Sequence, residues 1–168
     1  MSTGGSPVED RRGEVDADGL RVAVIAARFN AAVTDQLVRG ALEALAEHGA
    51  PDEAITVVRV PGAWELPQAA ARAVEAGRYD AVVTLGCVIR GETPHFDYVC
   101  QEASLGLGAV ARAADIPVVF GVLTTDDEAQ AHARAGEGRD NKGYEAAMAA
   151  LEMVAANRVI RGEHDGGG

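Results

Sequence analysis

Aromatic residues are scarce in this chain of 168 residues: they make up only 4% of it, although 48% of the residues are hydrophobic. A folded core must therefore be packed with Ala, Val, Leu and Gly. Basic residues are also few, since 15 Lys and Arg stand against 26 Asp and Glu, and the net charge is -11. Such a charge argues against nucleic acids and anionic membranes as partners. The length suits one domain with a sizeable core.

Long apolar runs and a cysteine framework are missing as well. No window approaches about 18 uncharged apolar residues, so we expect no membrane span. Residues 1–10 lack the basic and apolar regions of a signal peptide. The two cysteines, Cys87 and Cys100, have no disulfide spacing, which favours reduced, buried thiols in a cytoplasmic protein. No Cys or His cluster has the spacing of metal ligands, so no metal is expected.

The two ends of the chain differ from its middle. Residues 1–19 and 161–168 are rich in Gly and charged residues and are predicted to be flexible, which leaves residues 20–160 as a single domain. Short apolar runs predict strands at residues 21–27, 54–60, 80–89 and 116–123. Helical patterns predict helices that end near residues 48, 76, 114, 135 and 157. The N-caps expected from residue type are Thr34, Thr93, Thr125 and Asn141.

The alternation of strands and helices indicates how the domain is layered. Strands that are apolar throughout favour a parallel sheet covered by helices on both faces. We therefore predict an α/β protein with a three-layer α/β/α architecture, a flavodoxin-like, doubly wound sheet of four parallel strands. Ligands of such folds bind beyond the carboxyl ends of the strands. The most chemically unusual segments follow those ends, at residues 28–30, 61–65, 88–95 and 120–124.

The segment from Gly86 to Tyr98 gives the most specific signal. It leaves the third strand and enters a helix, with Thr93 as the expected N-cap and Pro94 at the first helical position. Backbone N–H groups and the helix dipole would then converge on residues 91–95, an arrangement suited to a phosphate. His95 at its rim fits a general acid or base that works near neutral pH. A plain surface histidine explains the same position.

Three other segments have both a structural and a functional interpretation. Phe29 directly follows the first strand and suits either the core or a platform on which a flat heterocycle stacks. Glu65, beside Trp64, either complements a helix dipole or accepts hydrogen bonds from a polyol or an amide. Arg134 and Lys142 flank a Gly-rich loop, and they suit either solvent or a phosphate group.

Taken together, these segments resemble the lumazine synthase family in their order and spacing. The matching segments are Arg28–Asn30, Pro61–Glu65, Gly86–Tyr98, Val119–Gly121 and Asn141–Gly143. The resemblance implies a transferase that condenses 5-amino-6-(D-ribitylamino)uracil with 3,4-dihydroxy-2-butanone 4-phosphate. The products would be 6,7-dimethyl-8-ribityllumazine, phosphate and water, in the penultimate step of riboflavin biosynthesis. The family uses no cofactor.

The resemblance also implies a role for each matching residue. His95 would be the general acid and base, and Phe120 would close the pocket from a neighbouring subunit. The butanone phosphate would be held at Gly91–Thr93, by Glu92 and Thr93, and by Arg134. The ribitylaminouracil would be bound by Phe29, Ala63, Trp64, Glu65, Cys87, Val88, Ile89 and Lys142.

Family members form homopentamers, and some form sixty-subunit icosahedral capsids, with active sites between subunits. The resemblance therefore implies a homo-oligomer in which residues 8–15 pair with a neighbour's sheet, and it makes riboflavin synthase an expected partner. Two residues depart from the family pattern. Trp64 replaces the commoner Phe, and Glu92 adds a negative charge beside the phosphate. Glu92 is compatible with a bound phosphate only where its side chain faces solvent.

Alternatives to this function come from the same fold and from other classes of protein. A riboflavin synthase of the same fold would join two lumazine molecules and would not need the phosphate-binding residues 91–93 and Arg134. A catalytically idle shell or ligand-binding protein would have no use for His95, Arg134 and Phe29 together. A receiver domain is excluded, since it needs acidic residues after the first strand, where this chain has residues 26–28, Ala-Ala-Arg.

Overall fold

A computed structural model describes residues 8–163, so the flexibility predicted for residues 1–7 and 164–168 concerns residues outside the described range. Within that range the strands are β1 (Val22–Ala27), β2 (Ile55–Val60), β3 (Ala81–Ile89) and β4 (Val118–Thr125). The α-helices there are α1 (Ala31–Glu47), α2 (Leu66–Glu75), α3 (His95–Ala113), α4 (Glu128–Arg134) and α5 (Lys142–Ile160). Single turns of 3₁₀-helix precede β2 and α2, at Asp52–Ala54 and Ala63–Glu65.

The strands run parallel in the order β2-β1-β3-β4, which confirms the predicted α/β architecture. Successive residues of a strand point to opposite faces of the sheet, so β1 and β3 supply two layers of core. Val24 and Val83 pack on the side of α1, α4 and α5. Ile25 and Val82 pack on the side of α2 and α3. The sheet therefore forms the middle of three layers.

The prediction of strands buried on both faces holds for β1 and is wrong for β2 in a single chain. All residues of β1 are buried, whereas Val57 and Val58 are 39% and 43% exposed. Among residues 8–163, β1 is the one strand that pairs with β2, which thus forms an edge of the sheet. An edge strand is reached by fewer of the covering helices, so its valines stay partly exposed in the single chain.

The start of α1 differs from the prediction, which placed the N-cap at Thr34. The helix begins at Ala31, because Asn30 turns the chain with a φ of 62°. The Asn30 carbonyl then accepts hydrogen bonds from the N–H groups of Val33 and Thr34, both at 3.0 Å. Thr34 is therefore a buried residue inside the helix and not its cap.

Two further N-caps are also displaced from their predicted positions. Thr125 is the last residue of β4, and Asp127 caps α4 by accepting a hydrogen bond from the Gln130 N–H at 2.8 Å. In α3 the N-cap is Pro94, one residue beyond the expected Thr93. The prediction used side-chain preference alone, and each of these three helices begins two or three residues away from the threonine that was predicted to cap it.

The N-cap predicted at Asn141 is confirmed, and it also joins α5 to α1. Its Oδ1 accepts hydrogen bonds from the backbone of the first turn of α5. Its Nδ2 donates to the carbonyls of Gln36 and Gly136, at 3.0 and 2.8 Å. The helices cross closely at this point, since a Cβ on Gly143 would overlap the carbonyl of Leu37. Packing therefore explains both the asparagine and the glycine of this motif.

The described part of the N-terminal segment lies against the domain. Ala17 and Leu20 are buried, and the Ala17 N–H donates to the His48 carbonyl at 2.8 Å. Residues 8–21 contain neither helix nor strand in the single chain, so the pairing of residues 8–15 with a neighbour's sheet stays a prediction. Of the helices between residues 8 and 163, none is long and apolar enough to cross a membrane.

Candidate active site

A cleft of about 590 Å³ opens at the carboxyl ends of β1, β2 and β3, the edge at which a doubly wound sheet binds ligands. Its walls are the loop after β1, the turn after β2, and the segment that leads from β3 into α3. The residues of the predicted site that line it are Phe29, Ala63, Trp64, Glu65, Cys87, Val88, Ile89, Thr93 and His95. One cleft thus gathers segments that are far apart in the sequence.

Hydrogen bonds tie the first two walls of the cleft together. The N–H groups of Arg28 and Phe29 donate to the carbonyls of Val60 and Pro61, at 2.7 and 3.0 Å. The β1–β2 ladder therefore continues past the ends of both strands. Because Phe29 is held through its own backbone, the position of its ring depends on this extended ladder.

The third wall is tied to the first by Asn30, which the sequence reasoning missed as a site residue. Asn30 Nδ2 donates to the Cys87 carbonyl at 2.8 Å. Among residues 8–163 it is the only residue other than glycine with a positive φ, a conformation that asparagine tolerates better than most side chains. An asparagine between a strand end and a helix is the signal that could have identified it.

The aromatic residues of the cleft are exposed. Phe29 is 71% exposed and Trp64 is 54% exposed, although both side chains border the cleft. Exposure of this size excludes the alternative in which Phe29 packs in the core. An exposed ring at a cleft rim is available for stacking against a flat heterocycle.

Glu65 has a structural contact and also borders the cleft. Its Oε2 accepts a hydrogen bond from the Gly62 N–H at 3.0 Å, which fixes the turn after β2. A carboxylate can accept several hydrogen bonds, so this contact leaves Glu65 able to bind a ligand hydroxyl as well. The structural and the functional interpretations are therefore compatible.

His95 is the first residue of α3, and it is exposed at the cleft. Gly91 and Thr93 line the cleft beside it, whereas Glu92 is exposed and is not among the lining residues. The N-cap Pro94 makes no side-chain hydrogen bond, and the Thr93 hydroxyl accepts one from the His95 N–H at 3.5 Å. This contact is long for a hydrogen bond, so the start of α3 can still bind an anion. The predicted proton-transfer residue and a helix end suited to an anion thus share one wall.

Cys87 contributes its backbone to the cleft and its thiol to the core. The side chain is buried in the layer between the sheet and α1 and α5. Burial raises the pKa of the Cys87 thiol from 9.0 to about 11, so the group is protonated at neutral pH. Cys100 is only partly buried, so the prediction of two buried thiols is wrong for it. Within residues 8–163, no three Asp, Glu, His or Cys side chains are grouped so as to hold a metal ion.

Besides Glu92, three predicted site residues do not reach this cleft within one chain. Phe120, Arg134 and Lys142 line a second recess of about 420 Å³ between β4, α4 and α5. In this recess Arg134 donates to the Gln130 carbonyl at 3.0 Å, and the Lys142 ammonium lies 2.7 Å from Glu145 Oε2. A single chain therefore presents the predicted acid/base residue and the predicted phosphate-binding arginine in separate cavities.

Comparison with known proteins identifies the family. The family model described as 6,7-dimethyl-8-ribityllumazine synthase matches residues 19–158. The 6,7-dimethyl-8-ribityllumazine synthase of Desulfatibacillum aliphaticivorans is 54% identical over 142 residues, which cover 84% of this chain and 92% of that protein. These matches confirm the resemblance and the predicted transferase. The chain therefore belongs to the 6,7-dimethyl-8-ribityllumazine synthase family of riboflavin biosynthesis.

Proposed function

We propose that the chain condenses 5-amino-6-(D-ribitylamino)uracil with 3,4-dihydroxy-2-butanone 4-phosphate to give 6,7-dimethyl-8-ribityllumazine. The 5-amino group forms a Schiff base with the butanone carbonyl and releases water. Phosphate is then eliminated, and the product tautomerises. The tautomerisation turns the enol left by phosphate elimination into a new ketone, and the ribitylamino nitrogen closes the second ring by attacking this carbonyl, again with loss of water.

The observation that carries this proposal is the content of one cleft. An exposed phenyl ring, Phe29, and the open end of α3 with His95 border the same space. A flat heterocycle and a phosphorylated partner can therefore be held side by side. Holding two reactants in a reactive arrangement lowers a bimolecular barrier by up to about 7–11 kcal/mol in favourable cases.

The part of the cleft that we assign to the ribitylaminouracil is built at the ends of β1, β2 and β3. We assign stacking of the pyrimidine to Phe29, and contacts with the ribityl chain to Ala63, Trp64 and Glu65. The segment Cys87–Ile89 ends β3 and offers backbone N–H and carbonyl groups to the uracil edge. Since the Cys87 thiol is buried and protonated, the assigned role of this residue needs only its main chain.

The phosphate half is open at the start of α3. We assign the butanone phosphate to the N–H groups of Gly91–Thr93 and to the Thr93 hydroxyl. Glu92 is exposed and does not border the cleft, so its backbone can bind the phosphate while its carboxylate faces solvent. This arrangement would remove the conflict between a glutamate and an anionic substrate.

His95 is assigned as the group that moves protons. Schiff-base formation, elimination of phosphate and ring closure each require a proton to be gained or lost, and one imidazole can serve in turn as acid and base. His95 adjoins the phosphate-binding turn, so it is positioned to protonate the departing phosphate.

The second recess is assigned to a neighbour's active site. Phe120, Arg134 and Lys142 lie outside the cleft of their own chain, so in a ring of subunits they can complete the cleft next to them. Arg134 would then bind the butanone phosphate, Phe120 would close the pocket, and Lys142 would lie near the pyrimidine. A homopentamer, alone or as part of an icosahedral capsid, provides such head-to-tail contacts.

The remaining assignments concern the cell. We place the protein in the cytoplasm, where thiols such as Cys87 and Cys100 stay reduced. Riboflavin synthase, which consumes the lumazine product, is the partner that we assign to the assembled enzyme.

The test is to supply both substrates and to follow phosphate release together with lumazine absorbance. The proposal predicts that the two products appear at the same rate with the purified protein, without an added cofactor, and that His95→Ala removes most of both. Binding of the pyrimidine without turnover would contradict the proposal and favour the idle-shell alternative. Conversion of lumazine alone would favour a riboflavin synthase.

A further inference from the structure

Arg90 is an exposed residue outside the cleft, directly before the phosphate-binding turn. Its guanidinium lies 2.9 Å from Asp126 Oδ1 through Nε and 3.7 Å from Asp97 Oδ1 through a terminal nitrogen. The same guanidinium lies over the ring of Phe96, 4.5 Å from its centre. Its backbone N–H donates to the Thr125 carbonyl at 2.8 Å. One residue thus touches the first turn of α3 and the loop that leads to α4.

On one side these contacts reach the proton-transfer residue. Phe96 and Asp97 are the second and third residues of α3, and His95 is the first. An Asp97 carboxylate and a Phe96 ring held by one guanidinium fix the rotation of the first helical turn. The direction of the His95 side chain, and of the N–H groups next to it, depends on that rotation.

On the other side a chain of hydrogen bonds leads from Asp126 to Arg134. The Asp126 N–H donates to Gln130 Oε1 at 2.8 Å. The Gln130 carbonyl in turn accepts a hydrogen bond from Arg134 at 3.0 Å. Asp127, the next residue, caps α4. The position of Arg134 is therefore connected to Arg90 through the first turns of this short helix.

We propose that Arg90 is a positioning residue that joins the two half-sites of one subunit: it orients His95 in the subunit's own cleft and Arg134 in the cleft of the neighbour. The proposal rests on the proposed function, in which those two clefts belong to different active sites.

The contacts of Arg90 suit positioning better than stabilisation. The side chains of Arg90, Asp97 and Asp126 are all at least half exposed. Exposed ion pairs contribute only about 0–1 kcal/mol to stability. A planar guanidinium that meets two carboxylates and an aromatic ring nevertheless fixes their relative geometry. Loss of Arg90 should therefore affect the reaction far more than the fold.

Steady-state kinetics of three variants provide the first part of the test. Arg90→Ala should lower kcat/KM by about 10–100-fold, because a displacement near 1 Å can cost that much, and it should raise KM for the butanone phosphate more than KM for the pyrimidine. Arg90→Lys should give a smaller loss, since an ammonium keeps the charge but cannot form the same fork. Arg72→Ala removes an exposed arginine that pairs with Glu75 on α2, and it should leave kcat/KM unchanged.

Mixed assemblies provide the second part. His95→Ala and Arg134→Ala subunits, unfolded and reassembled together in equal amounts, should regain about one quarter of wild-type activity if a ring shares its sites. Arg90→Ala subunits should regain far less activity with either variant. Mixed with His95→Ala they contribute a displaced cleft, and mixed with Arg134→Ala they contribute a displaced Arg134. Oligomer mass is measured for every sample, so that only assembled enzyme is compared.

The outcomes separate the two proposals. If Arg90→Ala recovers about one quarter of wild-type activity with Arg134→Ala but not with His95→Ala, Arg90 orders only the cleft of its own subunit. If it recovers that activity with His95→Ala but not with Arg134→Ala, Arg90 orders only α4. Either pattern, recovery in both mixtures, or wild-type kinetics of Arg90→Ala would overturn the link. No recovery in the reference mixture of His95→Ala with Arg134→Ala would instead overturn the shared site, and the link with it.

Discussion

The cleft and the second recess differ in how their functional groups are held. In the cleft, backbone hydrogen bonds and the Asn30 amide tie the ends of β1, β2 and β3 together. In the recess, Arg134 and Lys142 each contact a partner on their own helix, within four residues. The cleft is thus fixed by contacts between strands, whereas the cations of the recess are held by contacts within their own helices. Substitutions in the two regions should therefore change different kinetic constants.

Substitution of His95 should have the largest effect on the cleft. His95→Ala should lower kcat by about 10²–10⁴-fold, the usual contribution of a general acid or base, while the affinity for the pyrimidine stays the same. Stopped-flow turnover and equilibrium binding of the pyrimidine measure the two quantities. His132→Ala, an exposed histidine on α4, is the control. Unchanged turnover of His95→Ala would remove its role in proton transfer.

Substitution of Arg134 tests the recess. Arg134→Ala should raise KM for the butanone phosphate by about 10–100-fold, since a hydrogen bond to a charged group contributes about 1.5–3 kcal/mol. KM for the pyrimidine should not change. Arg139→Ala, in the nearby exposed loop, provides the matched control in steady-state kinetics. Equal loss of affinity for both substrates would point to misfolding of α4 instead.

Asn30 tests how the cleft is preformed. Asn30→Ala should lower the free energy of unfolding by about 2 kcal/mol, from the lost hydrogen bond to Cys87 and the strain of a positive φ. Asn30→Gly keeps the turn without strain and should cost about 1 kcal/mol less. Urea unfolding of assembled protein measures both variants. If the two variants are equally stable, the left-handed backbone at this position carries no strain.

Titration of the Cys87 thiol should have the smallest effect, a loss of unfolding free energy that is visible only at high pH. Its folded pKa, about 11, lies above the ordinary value of 9.0 because burial disfavours the thiolate. As pH rises, the Cys87 thiol of the unfolded chain loses its proton before that of the folded chain. The contribution of the buried, neutral thiol to stability is therefore complete below pH 9 and falls between pH 9 and 11. By pH 10 the loss should be about 1.4 kcal/mol.

The control for this pH dependence is Cys87→Ala, whose unfolding free energy is measured across the same range as that of the wild-type protein. The difference between the two curves should become smaller as pH rises above 9. A difference that is constant with pH would mean that the thiol titrates alike in the folded and unfolded chains.

Much of the fold could be predicted because apolar runs report directly on burial. Val22–Ala27 and Ala81–Ile89 are apolar, and they form the two interior strands. The N-caps at Thr34 and Thr125 were wrong, since a left-handed Asn30 and a well-placed Asp127 began the helices elsewhere. Cap preferences are worth about 1 kcal/mol, which tertiary contacts readily outweigh.

The meeting of the candidate site residues could be predicted where they lie along one continuous edge of the sheet. Residues that follow β1, β2 and β3 had to meet, because parallel strands share a carboxyl edge. The position of Arg134 could not be predicted in this way, since it depends on the direction of a short helix after β4. The link through Arg90 could not be predicted either, because Asp97 and Asp126 are contacted from a loop and their spacing in the sequence has no pattern.

The measurement that tests the account most directly is the activity of a mixed assembly of His95→Ala and Arg134→Ala subunits. Each variant alone should turn over slowly. Reassembled in equal amounts, the two should give about one quarter of wild-type turnover, because some sites then combine an intact cleft with a neighbour's intact recess. Turnover no higher than the mean of the two separate variants would contradict an active site shared between subunits.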